Sequence, residues 1–376
     1  MTYIKTLRAL TLAFVCVLAT HANATPDPVT WNYEQYRAAI DRGDTPAAEA
    51  AAAAALAASQ ERDGEGGATA TLAYNLALVR IDDGRPAEAL EPATLARRIA
   101  EANPTIGLDP LNARLVYGQA QLAASPAQGV ATLRTALTDA TERRAVDDRA
   151  FRAAAALGAW ALEQEQYGLA RSAWAQAVSH VNGQAPADIL ARERARTAQA
   201  VAIIAEHAES PRAAARDQAY ALLTDAMDAL YPYAIERADD NALTPFQAAY
   251  AEAAGWRSYG RAAYTPMDSI SLRDLRGQTL CAVSWSGGSG VGALLAGAFD
   301  GSTGVAVFRI LTDNTGDISS IDVAFATPPQ EFSSSVIPHL ERLNAHRASR
   351  SARDCVMPQV IFQTIVFYGD SATRRR

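Results

Sequence analysis

The feature that most constrains this chain is a recurring turn. From Trp31 to about Tyr264 the residues follow a helical pattern. It is broken at Gly43 (DRGDTPAAEA), Gly84 (DDGRPAEAL), Ser125 (AASPAQGV) and Gln166 (EQEQYGLA), each about 41 residues after the last. A fifth turn falls near Glu209-Ser210-Pro211, a few residues out of step. Each unit reads as a helix, a turn and a second helix that opens on proline or a small residue. Proline suits a helix start because the missing N–H has no partner there. Alanine recurs just past the turn, at Ala48, Ala89 and Ala170, where a small side chain lets two helices cross closely. One helix pair cannot bury its apolar face alone, so the expectation is successive pairs stacked into a solenoid with a concave face.

The best unit, LAYNLALVRIDDGRPAEALEPATLARRIAEANP, runs from Leu72 to Pro104. Leu76, Ala77, Gly84, Ala89 and Ala96 stand where the tetratricopeptide repeat (TPR) carries its small and turn residues. A second unit, Phe151 to Val178, has Leu157, Gly158, Tyr167, Ala170, Trp174 and Ala177. Residues 30–264 therefore resemble a TPR-like α-solenoid, and the resemblance implies a protein-binding array. Arg80 stands where that family carries tyrosine, and the period exceeds the usual 34, so longer loops between units are expected. Phe151, Trp160, Tyr167 and Trp174 are read as core at helical spacing rather than as a peptide groove. The segment Glu61 to Gly67 is read as a flexible connection, with too few oxygen ligands for a calcium loop.

The last part of the chain changes character. Residues 265–303 read as a connector with a lead-in strand, Leu280 to Trp285. From Gly304, the run GVAVFRILTDNTGDISSIDVAF reads as two strands about a polar turn containing Gly316. An amphipathic helix is expected over Glu331 to Asn344, then a strand over Gln359 to Tyr368. Asp313 and Asp317 flank the hairpin turn and are read as local caps rather than as an acid–base pair.

These residues, with Ala326-Thr-Pro-Pro329 and Phe332, resemble the C-terminal domain of the TonB family. The resemblance covers residues 304–370 and implies a small α+β domain of β-β-α-β order. It also implies that an edge near the last strand pairs with an extended segment of an outer-membrane transporter, in the service of transmembrane transport. Physically this is strand addition at a sheet edge. The partner-binding residues carried over are Gln359, Ile361, Gln363, Thr364, Ile365 and Phe367. Energy-coupling members of that family have an N-terminal membrane anchor and a Pro-rich spacer, and helical repeats occupy the spacer's place here.

The first residues read as a targeting segment. Lys5 and Arg8 precede an apolar run, Ala9 to Ala19, and Ala22-Asn23-Ala24 supplies a small-x-small site. Residues 1–24 are expected to be a signal peptide cut after Ala24, which places the protein in the periplasm. Retention as an anchor is the alternative, but the apolar run falls short of the roughly 20 residues a bilayer needs, and no direct membrane span is expected. Cleavage removes two cations and takes the formal net charge from −7 to −9, disfavouring nucleic acid and anionic membrane. Cys281 and Cys355 then remain, and an even pair in an exported chain suggests a disulfide; two separate buried thiols are the alternative.

No enzyme is expected, and no metal or cofactor. His180, His207, His339 and His346 lack partners at ligand spacing, His339 and His346 being placed seven apart on one helix face. The glycine-rich Ser286 to Gly292 lacks the Lys-Ser/Thr of a phosphate loop. No Gly-x-Ser-x-Gly elbow is present, and neither cysteine lies in a nucleophile motif. The expected function is binding of envelope proteins through a sheet edge and a helical surface. The alternative is a structural organiser of the cell envelope that acts through its array, with the last domain docking it or dimerising edge to edge.

Overall fold

In a computed structural model, the described residues are 27–143, 148–208, 210, 212–236, 243–259, 283–286, 304–313, 317–327, 337–340, 344–347 and 358–367. The protein is mostly helical, with a small three-stranded antiparallel sheet near the C-terminus. It divides into two compact units, 1–132 and 133–376. The signal segment, Tyr264, Cys281 and Cys355 lie outside the described residues.

The first unit holds α1 (Pro28–Asp41), α2 (Thr45–Asp63), α3 (Gly67–Asp82), a 3-10 turn (Pro86–Ala89), α4 (Leu90–Ala102), α5 (Pro110–Ala124) and the start of α6 (Pro126–Glu142). Its helices begin on a repeated local device. Asp27, Asp44 and Asp109 precede α1, α2 and α5, and each carboxylate accepts a backbone N–H of the first turn at 2.9–3.2 Å. A proline follows at N1 or N2 of each helix. The acid satisfies an orphan donor, and the proline occupies a place with no donor to lose. Gly43 and Gly84 have φ of +69° and +75°, the left-handed turn that glycine permits. Alanine fills the crossings: Ala48, Ala52, Ala55, Ala70, Ala73, Ala77, Ala89 and Ala93 are all buried.

The sequence expectation about loops needs correction. Between α2 and α3 only residues 64–66 intervene, because α2 continues through Glu61-Arg62-Asp63 to 19 residues. A longer connection, residues 103–109, separates α4 from α5. Arg80, which replaces the TPR tyrosine, bridges elements as an ion pair. Its Nε donates to Glu49 of α2 at 2.8 Å, and its Nη1 donates to the Glu88 carbonyl at 2.8 Å. Hydrogen bonds from Arg85 and then Arg80 hold the Glu49 carboxyl below its usual pKa.

The second unit holds the rest of α6, then α7 (Asp148–Glu163), α8 (Tyr167–Ser179), α9 (Pro186–Glu206), α10 (Ala213–Ala234) and α11 (Pro245–Tyr259), each packed on the next from α7 onward. Glu165, at φ +56°, makes the α7–α8 turn. At that crossing an added Cβ on Gly158 would meet the Trp174 indole at 2.8 Å. Phe151, Trp160, Tyr167 and Trp174 are half-buried, and Trp160 and Trp174 pack against buried Ala161, Ala170 and Ala202.

The strands follow: β1 (Val283–Ser286), β2 (Gly304–Thr312), β3 (Ile318–Thr327), the short helix α12 (Ile337–Leu340), β4 (Asn344–Arg347) and β5 (Val360–Phe367). The sheet order is β3-β2-β5, and β1 pairs with β4 separately. Of the helix expected over Glu331 to Asn344, the described residues include Ile337–Leu340, which are helical, and Asn344, which belongs to a strand. His346 sits on β4 opposite Ser284, so it and His339 share no helix face. Asn344 is drawn into a strand because β4 completes a ladder with a strand distant in sequence.

β2 is apolar on both faces and lies between two layers. Val307 packs with Phe325 of β3 and Phe362 of β5 against α10 and α11. Ala306, Phe308 and Ile310 pack on the opposite face with Ile321, Ile361, Ile337 and Leu340.

Candidate docking edge

Among the described residues the sheet has two outer strands, and they are built differently. β3 pairs with β2 in a broken register. Val307 lies opposite Phe325 and Phe308 opposite Val323, which leaves Ala324 as an extra residue; Leu311 opposite Ser320 and Thr312 opposite Ile318 leave Ser319 as another. Each is a β-bulge that bends the strand. β3 also carries Asp322, whose carboxylate accepts from Arg309 at 2.6 and 3.1 Å. Bulges and a charge are devices that blunt an edge against further pairing.

β5 has neither. It runs opposite β2 without a register shift, from Gly304↔Phe367 to Leu311↔Val360. The run VIFQTIVF contains no charge, proline or glycine. Among the described residues its one strand neighbour is β2.

The hydrogen-bond parity of β5 follows from one contact. Thr312 N donates to Gln359 O at 2.9 Å, and these two residues are directly opposite in the extended register. They are therefore a hydrogen-bonded pair, and in an antiparallel ladder such pairs recur at every second residue. Gln359, Ile361, Gln363, Ile365 and Phe367 thus turn their backbone groups toward β2. Val360, Phe362, Thr364 and Val366 turn theirs away. Of the six residues carried over from the family resemblance, Thr364 alone presents its backbone on the outer side. Gln359 is exposed and precedes the strand, Ile361 is half-buried opposite Ile310, and Thr364 is half-buried opposite Val307. Gln363, Ile365 and Phe367 lie opposite Phe308, Ala306 and Gly304.

The edge rests on α11. The Phe362 ring lies 4.7 Å from Tyr250, which lies 5.6 Å from Tyr231 of α10. Burial pushes both tyrosine hydroxyls well above their usual pKa. Burial likewise raises Glu252 on α11, opposed by the Arg194 charge. Asp228 is raised by desolvation first and by Asp225 second, while Arg257 pulls it down.

α11 is tied to the sheet by a buried polar network absent from the sequence reading. Thr244 and Gln247 cap the helix reciprocally: Gln247 N donates to Thr244 Oγ1 at 3.2 Å, and Thr244 N donates to Gln247 Oε1 at 3.0 Å. The same Oε1 accepts from Arg309 Nη1 at 2.9 Å. Arg309 is 1% exposed. The signals were present in the sequence, as a Thr-x-x-Gln box and as one arginine in a strand apolar on both faces.

The hairpin turn is capped as expected, with Asp313 Oδ1 accepting from Asp317 N at 3.0 Å. No cluster of three or more metal-ligating side chains occurs among the described residues, and none of their helices is long and apolar enough to cross a membrane. No protein-family model and no curated protein matches this chain.

Proposed function

We propose that this protein is a non-enzymatic, periplasmic binding protein that takes an extended segment of an envelope protein onto the β5 edge. The reading adopts the TonB-like strand addition implied by residues 304–370. An outer-membrane transporter is the partner class that resemblance implies. The TPR-like helical repeats contribute a second protein-binding surface. The disulfide Cys281–Cys355 belongs to the same reading, as a staple for an exported domain.

One observation supports this reading above the rest: of the two outer strands, β5 is regular and uncharged, while β3 is bulged and carries an acid. An incoming strand would take its main-chain bonds from Val360, Phe362, Thr364 and Val366. Its side chains would alternate between the α11 layer and the α12 layer, which supplies selectivity.

The test is a random-peptide display selection on the full chain, followed by binding of the selected peptides to Thr364→Pro. Proline there removes an outward donor and leaves the β2 ladder in place. Loss of binding by tenfold or more supports the edge. Unchanged binding places recognition elsewhere and overturns the reading. A mass measurement after alkylation, with and without reductant, checks the staple; two alkylatable thiols in the native exported protein rule it out.

A further inference from the structure

The connection between α8 and α9 holds a reactive pair. Asn182-Gly183 is the one Asn-Gly sequence in the chain. Such a pair can react with itself. The glycine backbone nitrogen attacks the asparagine side-chain carbon, the bond from that carbon to the amide nitrogen breaks, and ammonia leaves. Water then opens the resulting five-membered succinimide at either carbonyl, giving aspartate or isoaspartate. One water enters and one ammonia departs, with no oxidant or reductant. Glycine favours ring closure because no Cβ stands in the way and its backbone turns freely.

The fold leaves this reaction open at residue 182. Asn182 is exposed, and residues 181–184 belong to no helix or strand. Gly183 N donates no main-chain hydrogen bond among the described residues. Two related pairs differ on that point. Asp63-Gly64 closes α2, and Asp83-Gly84 follows α3. There Gly64 N donates to Gln60 O at 3.1 Å, and Gly84 N donates to Ile81 O at 3.0 Å. Their nitrogens must first give up a bond, whereas that of Gly183 need not. The space over Gly183 is taken by α9. An added Cβ would lie 1.8 Å from Asp188 Oδ2, so glycine alone sits here without moving that carboxylate.

The product would meet a cation already in place. Arg192 Nη1 donates to Gly183 O at 3.2 Å, one residue from the new carboxylate. Arg192 Nε also donates to Glu193 at 2.9 Å, and Arg196 Nη1 donates to the same carboxylate at 2.6 Å. Glu193 is fully buried, so two guanidinium groups share one buried anion. A carboxylate at 182 supplies a second. We propose that Asn182-Gly183 is a site of spontaneous deamidation, and that Arg192 receives the carboxylate it creates. The change is irreversible and accumulates with time, so it marks the age of the molecule. Its isoaspartyl product also lengthens the main chain between α8 and α9 by one methylene. This chemistry is independent of what occupies β5.

The test ages the full chain at mildly alkaline pH and follows the peptide containing residue 182 by mass. That peptide is expected to gain one mass unit, mostly as isoaspartate, at a rate that rises with pH as the attacking nitrogen loses its proton. Asn182→Gln must close a six-membered ring and should react at least tenfold more slowly. Isoaspartate at residues 63 and 83 should also build up at least tenfold more slowly than at 182. No mass gain at 182, or an equal gain in Asn182→Gln, overturns the site. Asn182→Asp supplies the new charge on an unaltered main chain and tests its acceptor. Its effect on the unfolding constant, read by chemical denaturation, should be at least twofold more favourable with Arg192 present than in Arg192→Gln. Equal effects in the two backgrounds overturn the role of Arg192.

Discussion

The two outer strands of the sheet share the same central neighbour yet differ in every feature that governs pairing. β3 is interrupted at Ser319 and Ala324, carries Asp322, and is drawn inward by Arg309. β5 is continuous and uncharged and is backed by Phe362 on Tyr250. The difference teaches that edge character is a property of register and charge placement more than of apolar content. Both strands are rich in apolar and β-branched residues, and only one keeps a regular row of outward main-chain groups.

The largest effect should come from removing the anchor of the blunted side. Arg309→Ala empties a buried site and removes the donor shared by half-exposed Asp322 and buried Gln247, and should cost about 3 kcal/mol, read by chemical denaturation. A cost below about 1 kcal/mol would mean that β3 is held by apolar packing alone. Next, proline on adjacent residues of β5 separates the strand's two sides. Gln363→Pro breaks an inward bond and should cost about 1–3 kcal/mol, while Thr364→Pro should cost clearly less. Equal costs would contradict the parity derived from Thr312 and Gln359. A third change probes how β3 sits on its helix. An added Cβ on Gly255 would lie 2.3 Å from Phe325 Cδ1, so Gly255→Ala should cost about 1–3 kcal/mol by overpacking.

The smallest expected effect concerns pH and a buried carboxyl on α11. Burial raises the Glu252 carboxyl above its usual value of 4.5. A raised folded-state value means that the folded protein holds the proton more tightly. Its contribution to stability is fully present below about 4.5 and is lost as pH rises through the raised value. Glu252→Gln should flatten that part of the stability–pH curve. An unaltered curve would show that the carboxyl is solvated like an exposed one.

Much of the helical part was legible in advance. The turns at Gly43, Gly84, Ser125 and Gln166 each fall between two helices, because glycine, short polar residues and Asp–Pro caps act within a few residues of themselves. The alanines just past those turns are buried for the same local reason. The reach of α2 through Glu61-Arg62-Asp63 was not legible, because the glycines just after it signal a loop while the three residues themselves are compatible with helix. In the sheet, the existence of β2, β3 and β5 was legible from β-branched runs. The strand at Asn344–Arg347 was not, since β4 exists through its pairing with Val283–Ser286.

The candidate edge shows the same division. Its strand was visible in VIFQTIVF, and so was its lack of charge. Which residues carry the outward bonds was not visible. That depends on the partner opposite each residue, and a shift of one position exchanges the two sets. Local chemistry written along the chain determined the turns, the caps and the strand candidates. Tertiary pairing decided that Arg309 is buried against Asp322 and Gln247, that β3 is bulged, and that Thr364 faces outward while Gln363 faces β2. A side chain's burial and a backbone group's direction are set by neighbours distant in sequence, and no local propensity encodes them.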